Sequence, residues 1–242
     1  MKCYIPTKGR PNTRSYIPFL EVGIEVNHFI EPQEYDLYDT PNKISILEND
    51  KGITYARNFM LQYAKDNGED WVIFCDDDIS SFYEYKNGKN IKRDAAIWKD
   101  ILDIAKKLPF ELYGINNKQL IWTAKTSYAI NRYSVEACVL MNVQKIDWVY
   151  TENTKEDKDF ALQTIKQGHG VVKFLKLGFQ TPAVGSNKGG LHKNYQAKQD
   201  YEWAKTMAKK WHPFTKLYKT DKKVDVRVDF KAFAKSFNRI VK

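Results

Sequence analysis

The chain has 242 residues, 43% of them hydrophobic and 14% aromatic, which is enough apolar surface for a substantial core and too much for a disordered segment. Its formal net charge is +9, yet residues 188–242 hold 15 Lys and Arg against 5 Asp and Glu, leaving 24 against 25 in the rest. No apolar run nears the roughly 20 residues that cross a bilayer and no signal-peptide pattern opens the chain, so no membrane partner and a cytoplasmic location are expected.

Lys2-Cys3-Tyr4-Ile5-Pro6 predicts a first strand, and Thr7-Lys8-Gly9-Arg10-Pro11 a turn after it. A short helix is expected over 13–22, a second strand over 27–30 closing at Glu31-Pro32, and a third over 43–47. Gly52 precedes a helix over 53–65 with apolar positions at 53, 56, 60, 61 and 64, and Asn67-Gly68 ends it. Trp71-Val-Ile-Phe-Cys75 then reads as a strand buried on both faces. Asn87-Gly88, between 80–85 and 90–92, signals a hairpin, and 95–108 an amphipathic helix. Strands are expected over 121–132, 137–143 and 171–177, with a helix over 156–167 and another over about 196–210. Strands alternating with helices predict an α/β protein with a mixed, Rossmann-like central sheet flanked by helices. A basic helical extension follows it. The catalytic domain is placed at 1–192 and the extension at 193–242, as parts of one compact unit. Cys3, Cys75 and Cys138 all fall in predicted strands without a CxxC pair, so buried free thiols are expected.

The buried strand 71–75 stops at three consecutive carboxylates, Asp76, Asp77 and Asp78. Acids ending a buried strand need water, a cation or a basic partner. The carboxyl ends of such strands are where α/β sheets bind ligands, and carboxylate oxygens suit a hard divalent ion holding a diphosphate. In extended chain Asp76 and Asp78 share a face. Solvated or helix-capping acids are the plainer account. Arg57, near the start of the 53–65 helix, can pair with phosphate or with a structural carboxylate. Glu156, Asp157 and Asp159 open another helix, where acids are ordinary dipole partners and where a carboxylate can also serve as general base. His192 follows the Gly189-Gly190 loop and can complete a metal site. Aromatic residues lie among the terminal basic ones, the footprint of a polyanion partner or simply a solvated helix face. Trp122, Tyr128 and Trp148 are assigned to core packing before base stacking.

The combined order Ile5-Pro6-Thr7-Lys8-Gly9-Arg10, Glu31, Gly52-x3-Ala56-Arg57-Asn58, Asp76-Asp77-Asp78 and Glu156-Asp157-x-Asp159 resembles GT-A-fold glycosyltransferases of the inverting type, over about residues 2–192. Within that fold the opening string and the late Gly-Gly loop are similar to bacteriophage DNA-base glycosyltransferases, including the TET-associated group and its base J glucosyltransferase relatives. The resemblance implies a nucleotide-sugar donor, a UDP-sugar by analogy, and Mn²⁺ or Mg²⁺. It places Pro6, Thr7, Lys8, Arg10, Glu31, Arg57, Asp76, Asp77, Gly189 and Gly190 at the donor. It gives Asp76, Asp78 and His192 to the metal, with Asp77/Asp78 as the alternative pair, and Asp157 with Glu156 to catalysis. The acceptor it implies is a hydroxymethylpyrimidine in double-stranded DNA, in host cytoplasm for a phage protein. The basic tail then supplies Lys193, Lys205, Lys209, Lys210 and Trp211 as DNA contacts. A saccharide acceptor, a non-catalytic nucleic-acid-binding protein and a nucleotidyltransferase are the competing readings.

Overall fold

The computed structural model describes residues 1–182, 199–219 and 224–242. Among them twelve strands and six helices run in the order β1 Lys2–Thr7, α1 Ile17–Leu20, β2 Val26–Ile30, β3 Lys43–Ser45, α2 Gly52–Asp66, β4 Trp71–Cys75, β5 Ser81–Lys86 and β6 Lys89–Arg93. There follow α3 Ile97–Ala105, β7 Leu112–Asn117, β8 Tyr128–Ile130, β9 Cys138–Asn142, α4 Glu156–Lys166 and β10 Val171–Gln180. The chain closes with α5 Gln199–Lys210, β11 Thr215–Lys219, β12 Val224–Val228 and α6 Phe230–Ser236. No described helix is long and apolar enough to cross a membrane.

Ten strands form one mixed sheet in the order β3-β2-β1-β4-β9-β7-β10-β5-β6, with β8 paired beside β10. The first four are parallel, and β9 runs antiparallel between β4 and β7. The parallel strands β1, β2 and β4 therefore end on one edge, and the antiparallel β9 begins there. Successive side chains of a strand point to opposite faces, so each central strand feeds two cores. Tyr4, Val72, Phe74, Val139 and Met141 enter one, beneath α2, α4, α5 and α6. Cys3, Ile5, Ile73, Cys75, Cys138 and Leu140 enter the other, beneath α1 and α3. All three cysteines are buried and free, as expected.

Three expectations are corrected. The stretch 121–132 is not a continuous strand: Ile121–Thr123 is a 3-10 turn and only Tyr128–Ile130 pairs. The central strand β7 carries no strand signal, because Gly114 and two asparagines dilute it. Gly114 is there for space, since a Cβ on it would lie 2.5 Å from Val135. The terminal extension is not only helical but includes the β11–β12 hairpin. Its aromatics divide between surface and core: Tyr201 and Tyr218 are 43% and 40% exposed. Phe230, Phe233 and Trp211 are buried in the same core as α4, with Trp211 edge-on to Phe233 at 5.4 Å.

Candidate active site

At the end of β4 the three acids part company. Asp77 turns inward: its Oδ2 accepts a 2.7 Å hydrogen bond from Thr7 Oγ1, and its Oδ1 is ion-paired with Arg10. Thr13 Oγ1 also donates to the Asp77 carbonyl at 2.6 Å, so the β1–α1 loop is tied to the acid segment. Burial pushes the Asp77 carboxyl up to about 6, against the opposing pull of Arg10 and Thr7. Asp76 and Asp78 keep more of their side chains in contact with solvent. Arg10 lies 3.7 Å from Asp78 as well. The middle acid thus braces the loop. Its neighbours on either side form the outward pair.

Arg57 gathers the second group. It is only 6% exposed, on the first turns of α2, and its guanidinium reaches three carboxylates from two other elements. Nη1 donates to Asp157 Oδ1 at 2.6 Å and to Glu156 Oε1 at 3.3 Å, while Nη2 donates to Asp76 Oδ1 at 3.0 Å. A rigid fork of five donors suits this multiple duty. Arg57 therefore takes the carboxylate-pairing option, bridging acids from the end of β4 and the start of α4. Burial pushes the Asp157 carboxyl well above the ordinary carboxylate range, Arg57 pulling the other way and Glu156 and Asp76 adding to the rise.

Asn58, the next residue, pins the opposite wall. Its amide donates to Tyr150 O at 2.9 Å and accepts from Tyr150 N at 2.8 Å. The Tyr150 ring then stacks on Phe160 at 4.0 Å and receives Arg57 at 5.4 Å. Pro6, Arg57, Cys75, Asp76, Tyr150 and Asp157 line one cleft, with about 230 Å³ of empty space that includes the open mouth. Tyr150 was not a sequence candidate. The alternating aromatics Trp148 and Tyr150, before the acidic helix start, were the available signal.

Beside the ends of β1 and β2, Lys8 Nζ donates to Glu31 at 2.8 Å and is also ion-paired with Asp50. Gln33 Nε2 donates to the other Glu31 oxygen at 2.7 Å. Tyr38 accepts from the Arg10 backbone at 2.9 Å, and Glu34 accepts from Gly9 N at 2.6 Å. Asp50, Gln33, Glu34 and Tyr38 were likewise not anticipated. They come from loops whose approach depends on chain reversal, not on local pattern.

Of the remaining candidates, Gly189, Gly190, His192 and Lys193 lie outside the described residues. Lys205 and Lys209 are exposed on α5, where Lys205 faces Glu202 at 3.9 Å. Trp211 is corrected, and Lys210 has a partner within the fold. Trp211 is buried, its Nε1 donating to Asp159 Oδ1 at 2.6 Å, and Lys210 Nζ lies 2.7 Å from the same carboxylate. Both fasten the extension to α4; Trp211 is thereby withdrawn from the surface, while the Lys210 side chain stays partly exposed.

Among the described residues no three His, Cys, Asp or Glu side chains are grouped to hold a metal ion. The chemistry of the outward pair nevertheless fits a hard divalent cation. Asp76 and Asp78 offer carboxylate oxygens at a ligand-binding sheet edge, and a Mg²⁺-type site is completed by water and substrate phosphates beyond one or two carboxylates.

The family model described as TET-associated glycosyltransferase matches residues 1–190. No curated protein matches the chain. Among solved structures it is similar to A197 from STIV, with a TM-score of 0.45 and 12% identity over 75% of this chain and 85% of that one. A CMP:2-keto-3-deoxy-manno-octonic acid synthetase complexed with CTP gives 0.46 and 9% over 81% and 96%. A UDP-glucose pyrophosphorylase complexed with UDP-glucose gives 0.44 and 10% over 81% and 98%.

Proposed function

The chain belongs to the TET-associated glycosyltransferases, and from that premise we propose that it transfers a sugar from a UDP-sugar to a hydroxymethyl group on a modified pyrimidine in double-stranded DNA, with inversion at the anomeric carbon. The observation that carries this reading is the gathering of Asp157, Glu156 and Asp76 around one buried Arg57 at the carboxyl edge of the sheet. A general base is best matched to its task when its pKa lies nearer the working pH, and burial moves Asp157 that way.

Asp157 takes the proton from the acceptor hydroxyl as that oxygen bonds to the anomeric carbon and the bond to the donor's diphosphate breaks. Arg57 is a positioning residue: it fixes the carboxylate and keeps its charge balanced before and after the proton arrives. Asp77, held by Arg10 and Thr7, sets the direction in which Asp76 and Asp78 leave the strand. Those two would hold Mn²⁺ or Mg²⁺, with His192 as a further ligand. When bound, such an ion supplies positive charge against the departing diphosphate. Pro6, Thr7, Lys8, Arg10 and Glu31 are assigned to the nucleoside end, and Gly189 and Gly190, outside the described residues, to donor binding. Basic residues outside the cleft neutralise the acceptor's phosphates.

The test is direct: incubate the protein with radiolabelled UDP-sugars, Mn²⁺ and hydroxymethylated duplex. Label in the DNA with inverted configuration is expected. Label in oligosaccharide alone would transfer the reading to a saccharide acceptor, and a retained configuration would remove the base role from Asp157.

A further inference from the structure

Trp122 was assigned to the core, yet its side chain stands 61% exposed, next to Leu120 at 52%. Its presentation is rigid. Ile121 is fully buried, and it seats on Gly178 of β10, where a Cβ would come within 2.7 Å of Ile121 and 3.2 Å of Asn116 O. The Trp122 Nε1 donates to Gln119 O at 2.9 Å, and Thr123 Oγ1 donates to Leu120 O at 2.7 Å. An indole pinned by its own turn loses little freedom on binding.

The turn belongs to the same sheet edge as the acids. The chain after Asp78 crosses to β5, and Ser80 N donates to Gln180 O at 2.9 Å. The Gln180 side chain accepts from Lys118 Nζ at 2.9 Å, and Lys118 N donates to Phe179 O at 2.8 Å. Lys118 also covers the Tyr83 ring at 3.9 Å. Tyr83 pairs across the hairpin with Lys92, and Tyr85 with Asn90, which puts all four on one face, opposite the buried Phe82. Residues 117–128 contain Lys118 and Lys125 and no acid. Glu84, the acid of the hairpin strands, is ion-paired with Arg93.

We propose that this surface is where the acceptor DNA docks: Trp122 stacks on a base released from the duplex stack, and Lys92, Lys118 and Lys125 meet the flanking phosphates. The proposal rests on the DNA acceptor of the preceding reading and gives it a place. Charge decides the partner, because an apolar surface ringed by lysines matches a polyanion carrying π-faces.

The experiment titrates hydroxymethylated duplex into the full chain by fluorescence anisotropy. Trp122→Ala should weaken binding by about ten-fold, a base-stacking loss, and Trp122→Phe should keep most of the affinity. Lys92→Ala with Lys125→Ala should lower the slope of log affinity against log salt by about 2. Lys118 is left in place because it braces the turn. The unfolding midpoint should not move, since the altered side chains are exposed. Wild-type affinity and salt slope in these variants, from a protein that does glycosylate DNA, would overturn the docking surface alone. If the wild type labels oligosaccharide and no DNA, the acceptor reading falls and takes this surface with it. If Trp122→Ala instead dissociates an oligomer while DNA affinity holds, the partner is a second copy and the proposal is wrong.

Discussion

Helix α4 carries two acids two residues apart, Asp157 partly buried and Asp159 fully buried, directed about 200° apart around its axis. Asp157 faces the cleft and pairs with an arginine shared among three carboxylates. Asp159 is 0% exposed and faces the extension, where it has donors of its own: Trp211 Nε1, Lys210 Nζ, and Gln163 Nε2 at 2.7 Å. Residue type and helix are the same, though Asp157 keeps 24% of its side chain exposed. What differs is how completely the carboxylate is satisfied. A carboxylate whose lone pairs are filled by dedicated donors is structural, and one that must share its counter-charge is left with chemistry to do.

The strongest way to break this contrast is Asp157→Asn. Loss of the base should cut kcat by about 10² to 10⁴-fold. The unfolding midpoint should stay at or above that of the wild type, because burial already disfavours the ionised form. Asp159→Ala should invert the pattern. It leaves the buried Trp211 Nε1 without its acceptor, costing about 1–3 kcal/mol in denaturant unfolding, with donor affinity retained in the folded fraction. Turnover lost with stability for Asp159, and neither for Asp157, would end the distinction.

Acidity sharpens it next. The Asp77 folded pKa, about 6, lies above its unfolded 3.8, so the folded state holds the extra proton between those values. Its contribution is full below about pH 4 and is lost as pH rises through 6, on the order of 3 kcal/mol. Asp77→Asn should flatten that part of a stability-versus-pH curve, and an unchanged curve would refute the assignment. For Asp157 the same direction of shift places the acid limb of kcat/KM above the ordinary carboxylate range. Arg57→Ala, which removes the opposing charge, should move the limb further up in the residual activity. The smallest effect belongs to Lys205→Ala on the outer face of α5, within about 0.5 kcal/mol of wild-type stability. Its loss of DNA affinity should be well below that of Trp122→Ala.

Much of this was legible where local chemistry dominates. Asn67-Gly68 and Asn87-Gly88 located a helix end and a hairpin, and both glycines adopt positive φ in the structure. The strand running into three aspartates located the cleft. Partnership was not legible. Nothing in the spacing says that Arg57 meets residues about a hundred positions later, or that Asp77 alone of the triplet turns inward. The same limit applied to the tail, where Trp211, Phe230 and Phe233 enter a core while Tyr201 and Tyr218 stay outside among the basic residues. Trp122 erred the other way: an aromatic in an apolar-looking run reads as buried until Gly178 seats its neighbour and leaves it outside.

The three thiols that line up behind the acids have a practical consequence. All three are buried in the core beneath α1 and α3, on the sheet face opposite Phe74, Val139 and Tyr150 of the cleft. An alkylating probe reaches these sulfurs only when the packed sheet opens, so modified product should appear in mass spectra in step with that opening. Saturating donor should slow its appearance, which turns silent core residues into a gauge of occupancy that needs no knowledge of the acceptor.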